Sequence, residues 1–80
     1  MTYVKSKIYS LDCTGYLCPA PILMTEEKIK ELQKGQMLEV VFTDPGAKPD
    51  LQMWCKATRN EFVDFKNKMP KYYATIRKKN

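Results

Sequence analysis

The sequence predicts an α/β two-layer sandwich, a mixed four-stranded sheet in βαβαββ order with two helices on one face. Three observations carry that expectation. Several short segments alternate polar and apolar residues, the period of half-buried strands, and two longer segments between them follow the 3.6-residue period of helices. Their order, strand, helix, strand, helix, strand, strand, leaves a helical layer to cover one side of a sheet. The chain has 80 residues, about half an average domain, so a single domain over residues 1–80 is expected.

The first strand is expected over Lys7 to Asp12, with Tyr9 and Leu11 on one face and Ser10 and Asp12 on the other. Thr14, Gly15 and Tyr16 follow as a loop, because glycine supplies the backbone angles of a sharp turn. From Pro19 the period changes. Ile22, Leu23, Glu26, Ile29, Leu32 and Gln33 fall near the helical repeat, and Gly35 stands where a C-cap belongs, which predicts a helix of about four turns. Pro19 and Pro21 suit its opening, where first-turn N–H groups have no intrahelical partner to lose. Glu26 and Glu27 lie toward its start and Lys28, Lys30 and Lys34 toward its end, the arrangement the helix dipole favours.

Residues 37–43, MLEVVFT, are rich in β-branched and apolar side chains and predict a central strand apolar on both faces. Pro49 and Asp50 open a second helix that runs to about Arg59, with Leu51, Trp54, Cys55 and Thr58 on one face and Asn60 as its cap. EFVDFK at 61–66 and YYATIRK at 72–78 form a closing hairpin joined by Asn67, Lys68, Met69 and Pro70.

Composition narrows the function. The 44% hydrophobic and 29% charged content fits a folded domain and excludes the low-hydrophobicity signature of disorder. So short a chain buries only about 60–65% of its unfolded surface, so chemistry is expected at the surface rather than in a walled cavity. The N-terminal segment lacks the apolar stretch of a signal peptide, and no run reaches the length of a membrane span, so a cytoplasmic protein without an integral membrane segment is expected. Three cysteines in such a compartment favour free thiols over a disulfide framework. Histidine is absent, which removes the Cys-His dyad, the Ser-His-Asp triad and the usual zinc sites. No metal and no cofactor is expected. The net charge of +5 favours anionic partners, and a solvated basic strand end built from Lys66, Lys68, Lys71, Arg77, Lys78 and Lys79 explains it equally well.

The chemistry concentrates at Cys18. The segment TGYLCPAPILM places a thiol just before the first helical residue, where unpaired N–H groups and the positive end of the helix dipole would stabilise a thiolate or persulfide anion. That environment lowers a cysteine pKa without help from histidine. Pro19 fixes the chain direction after the cysteine and Pro21 stiffens the first turn, so the sulfur is held in a projecting position suited to exchange with another protein's sulfur. Asp12 is placed to organise the loop as an Asx-type turn. On these residues alone, a merely structural Cys18 that caps the helix or fills a gap competes evenly with a reactive one.

Residues Leu11 to Pro21, LDCTGYLCPAP, resemble the TusA/SirA/YedF family of sulfur carriers, whose pattern is Leu-Asp, a glycine three residues before a cysteine, and Cys-Pro-x-Pro. Asp44-Pro45 after the central strand and the helix bearing Cys55 extend the resemblance over most of the chain. It implies a carrier that accepts persulfide sulfur on Cys18 from a cysteine desulfurase or rhodanese-like donor and relays it to an acceptor protein, with Asp12, Gly15, Pro19 and Pro21 in support. It also implies a monomer that works stoichiometrically with its partners rather than as an autonomous enzyme. The pathways it offers are tRNA thiolation, sulfur oxidation and cofactor maturation. Leu17 stands where tRNA-thiolation members carry Arg, and Ala20 occupies a position often acidic in the family.

Cys13 is read as a strand-end structural cysteine, with a resolving thiol as the alternative, and Cys55 as buried beside Leu51 and Trp54. The leading hypothesis of another class is a small basic RNA-binding module, with Tyr3, Tyr9, Tyr16, Tyr72 and Tyr73 stacking on bases. It leaves the cysteine pattern unexplained, so no direct nucleic-acid contact is expected.

Overall fold

The computed structural model describes residues 8–79. The elements follow the predicted order: β1 (Ile8–Cys13), α1 (Ala20–Lys30), β2 (Met37–Phe42), α2 (Ala47–Thr58), β3 (Glu61–Lys68) and β4 (Lys71–Arg77). Lys7, expected to open the first strand, lies outside the described residues, as does Tyr3. The four strands form one sheet in the order β1-β2-β4-β3. β1 and β2 run parallel, and β4 is antiparallel to both β2 and β3. The mixed sheet and its helical layer are those expected.

The core follows from strand alternation. Leu38, Val40 and Phe42 of β2 are fully buried. They lie in register with Tyr9, Leu11 and Cys13 on one side and with Ile76, Ala74 and Tyr72 on the other. The helices cover this row with Ile29, Ala47, Leu51 and Cys55, joined by Leu32 just past the end of α1. The alternate residues Met37, Glu39 and Val41 are half-buried on the open face. β2 is therefore central by position, but it is packed on one face rather than apolar on both.

β3 departs from simple alternation. Phe62 and Phe65 are three residues apart, which in a regular strand would send them to opposite faces. An irregularity between Phe62 and Asp64 shifts the register by one, so that Phe62 pairs with Ile76 and Phe65 with Ala74 and both rings turn to the core side. The hairpin is also tighter than expected, with Met69 and Pro70 alone between the strands.

α1 is one turn shorter than predicted. Its inward face is Pro21, Thr25 and Ile29, continued by Leu32, while Leu23 is exposed. The helix ends because its last carbonyls find other partners. Glu31 and Leu32 donate to the carbonyls of Lys28 and Ile29 in a tightened final turn. The Lys78 ammonium donates to Ile29 O at 3.0 Å and Leu32 O at 2.7 Å. Gly35 is not the cap. With φ +90° it turns the chain into β2, and its N–H donates to Lys78 O at 2.7 Å while Lys78 N–H returns to Gln36 O at 2.9 Å. Part of the expected basic patch is thus structural, since Arg77 also pairs with Glu61 at 2.8 Å.

α2 starts two residues earlier than predicted, at Ala47, which is fully buried. Pro49 is accommodated in the first turn, where its missing N–H leaves no bond unmade. The end comes at Arg59, whose left-handed φ of 62° lets Asn60 N–H reach Cys55 O at 2.9 Å.

Candidate functional site

Because β1 and β2 are parallel and in register from Ile8↔Met37 to Cys13↔Phe42, the loops that follow them leave the sheet from the same end. The first loop begins with Asp12, whose Oδ1 accepts the Thr14 N–H at 2.9 Å and the Thr14 hydroxyl at 2.7 Å. The Thr14 amide, then its hydroxyl, hold the Asp12 carboxyl below its ordinary range. Gly15, at φ +82°, makes the turn that any side chain would strain. Its N–H donates to Thr43 Oγ1 at 2.9 Å, which ties this loop to the one leaving β2.

Asp44 ties the two loops a second time. Its Oδ2 accepts the Cys18 N–H at 2.8 Å and its Oδ1 accepts the Gly46 N–H at 3.0 Å. Those two amides lower the Asp44 pKa. Phe42, two residues before, anchors the loop from below. Its ring lies 5.5 Å from that of Tyr72 and 6.4 Å from that of Phe65, and Lys48 in the first turn of α2 sits 4.2 Å over Phe65.

Cys18 is half-buried, and its sulfur faces α2 rather than a free helix end. The Sγ–H donates to Asp50 Oδ2. That hydrogen bond first, then desolvation and the negative charges of Asp50 and Asp44, push the thiol up to about 11. The expectation of a lowered pKa at the helix opening is therefore corrected, and the physical cause is local. Pro19 and Pro21 bring no N–H. Ala20 N–H is taken by Leu17 O at 2.9 Å, and the N–H groups of Ile22 and Leu23 by Pro19 O at 3.0 and 3.1 Å. The amides predicted to face the sulfur are taken by backbone carbonyls, and two carboxylates act on it instead.

The other cysteines occupy different surroundings. Cys13 has 0% and Cys55 2% of its surface exposed, and burial pushes each thiol up to about 11. All three cysteines are free thiols. Of the residues singled out from sequence, Asp12, Gly15, Cys18, Pro19 and Pro21 share the two linked loops and the opening of α1, with Pro21 buried in the core. Asp44 and Asp50 join them, and neither was assigned to the site from sequence. The sequence marks Asp44 only as part of Asp44-Pro45, and Asp50 only as a helix opener. Both meet Cys18 through tertiary structure, 26 and 32 residues along the chain. Among the described residues no three potential metal ligands converge, and no helix is long and apolar enough to cross a membrane.

The surroundings of the thiol are open and partly apolar. Tyr16 and Leu17 just before it are 50% and 74% exposed. The Phe42↔Tyr72 register brings the Met69-Pro70 turn to the same end of the sheet.

Residues 9–78 match the family model described as sulfurtransferase TusA. The chain belongs to the TusA family. A relative from Allochromatium vinosum named sulfur carrier protein TusA is 37% identical over 68 residues, covering 85% of this chain and 90% of the relative. One of the same name from Pseudomonas paraeruginosa is 36% identical, covering 86% and 87%. The chain spans only 35% and 29% of the length of two other curated relatives, from Aquifex aeolicus and Bacillus subtilis. The crystal structure of a SirA-like protein from Desulfitobacterium hafniense superposes with a TM-score of 0.72 at 19% identity, over 92% of this chain and 100% of that one. This last likeness is one of fold.

Proposed function

We propose that this TusA-family chain is a sulfur carrier that holds transferable sulfur as a persulfide on Cys18. The observation that carries the reading is the contrast among the three thiols. Cys13 and Cys55 are sealed in the core, whereas Cys18 lies partly exposed between two linked loops at one end of the sheet. The names of the curated relatives support the same role.

In the loading step Cys18 Sγ attacks the outer sulfur of a donor cysteine persulfide. A new S–S bond forms on Cys18 and the donor's own S–S bond breaks, its electron pair staying on the donor sulfur. The Cys18 proton ends on that sulfur, so a thiol and a persulfide exchange places with no net oxidation. Transfer to an acceptor repeats the step in reverse. The donor is a cysteine desulfurase or a rhodanese-like protein, and the acceptor is a further protein in tRNA thiolation, sulfur oxidation or cofactor maturation. Asp12 and Gly15 set the loop, and Pro19 and Pro21 set the opening of α1.

The test is intact-mass spectrometry after incubation with a cysteine desulfurase and cysteine. The wild-type chain should gain one sulfur that a reductant removes, and Cys18→Ser should gain none. Loading retained in Cys18→Ser, or absent from the wild type with every donor tried, overturns the proposal.

A further inference from the structure

We propose that Asp50 is a positioning residue that holds the Cys18 of the empty carrier as a protonated, hydrogen-bonded thiol and lets it go once sulfur is loaded. This rests on the reading of Cys18 as the sulfur site. Asp50 is exposed, in the first turn of α2, and its carboxylate accepts the thiol hydrogen directly. Asp44 holds the Cys18 backbone from the β2–α2 loop, which fixes the point from which the side chain reaches Asp50 and leaves the sulfur free to turn.

The charges that bear on the sulfur are Asp50 from α2 and Asp44 from the β2–α2 loop, both negative. Asp12 at the end of β1 is occupied by Thr14. Among the described residues, the ion pairs involve Glu27, Glu31 and Glu61, and neither Asp44 nor Asp50 has a cationic partner. Lys48, in the same turn as Asp50, sits over the Phe65 ring, the charges acting on the sulfur are the two carboxylates, and each favours the neutral thiol over the thiolate.

The consequence is a contact that distinguishes the empty from the loaded state. A thiol can donate to Asp50. In a persulfide Sγ bears the outer sulfur in place of hydrogen, so it has nothing to donate, and an ionised outer sulfur is repelled by the same carboxylate. The empty site is therefore drawn toward α2 and the loaded sulfur is directed away from it. The empty thiol is also shielded from small electrophiles and oxidants, which react with the thiolate. At pH 8 roughly one Cys18 in a thousand is ionised when the group titrates at about 11.

The test needs no sulfur donor. The rate of Cys18 alkylation by iodoacetamide is measured from pH 6.5 to 11, with peptide mapping to separate it from Cys13 and Cys55. In the wild type the rate should rise toward a midpoint near 11. In Asp50→Asn the midpoint should fall by a pH unit or more, giving at least about tenfold faster alkylation at pH 8. Asp50→Glu should restore much of the wild-type profile, which a purely steric role would not do. If Cys13 or Cys55 becomes reactive in Asp50→Asn, the fold has opened and Asp50→Ser takes its place. A wild-type midpoint near 8.5, or coincident profiles for the wild type and the carboxylate-free variant, overturns the proposal. Failure of Cys18 to load with sulfur would instead count against the carrier reading and leave these profiles unchanged.

Discussion

Lys78 offers a direct measure of how the fold uses its excess positive charge. Its ammonium caps the end of α1 through hydrogen bonds of 3.0 and 2.7 Å to the carbonyls of Ile29 and Leu32. Hydrogen bonds to charged groups contribute about 1.5–3 kcal/mol each when well shielded, and a cation at a helix C-terminus about 0.3–1 kcal/mol. Lys78 is only half-buried, and water can replace part of what is lost, so Lys78→Met should cost about 1–2 kcal/mol in all. With a urea m-value of about 1 kcal/mol/M for a chain this small, the midpoint should fall by about 1–2 M. The assay is urea unfolding followed by far-UV circular dichroism. Lys66→Met, which removes the same charge from an exposed position on β3, serves as the control and should shift the midpoint by less than about 0.5 M. Equal shifts for the two variants would refute the cap and return Lys78 to the solvated basic face.

Two further outcomes follow from the packing and the charges. Phe42 is fully buried within the Phe65–Tyr72 cluster, so Phe42→Ala should cost about 3–5 kcal/mol, a large part of the roughly 4–12 kcal/mol available to 80 residues. Cys13 and Cys55 should then become alkylatable under native conditions, and their continued protection would show that the cluster is dispensable. Stability should form a plateau between about pH 4 and pH 9. Below it, Asp44 and Asp12, whose folded pKa values are lowered, lose their contribution as pH falls through those values. Above it, the three cysteines, raised from 9.0 to about 11, lose theirs as pH rises toward 11. Urea midpoints across pH 2.5–11 check both limbs, and a midpoint at pH 3 equal to that at pH 7 would remove the acid one.

The sequence shows the order of elements and the core side of β1, because these depend on local period, whereas β2 reads as apolar on both faces and is packed on one. It also shows which thiol stands at a strand-to-helix junction. What escapes it depends on partners far along the chain. Gly35 and Lys78 belong together because β4 extends the ladder past Arg77, which no helical pattern reveals. Phe62 and Phe65 share a face only through the shift next to Val63. The electrostatics of Cys18 are the largest such case. Reading forward from TGYLCPAP gives a helix end with open amides, yet the prolines that mark that end also strip it of donors. The groups that govern the sulfur arrive from the β2–α2 loop and α2. Asp44-Pro45 was visible as a motif, but its contact with the Cys18 amide is a product of parallel pairing.

That parallel pairing also decides where neighbouring polypeptide can attach. Ile8 pairs with Met37, which pairs with Arg77, so the first and last described strands both meet the rest of the chain at the pole away from the thiol. A six-residue strand sets the two poles roughly 20 Å apart. β1 is thus entered, and β4 left, at the far end of the sheet from the sulfur. The chain itself spans about a third of the length of its relatives from A. aeolicus and B. subtilis.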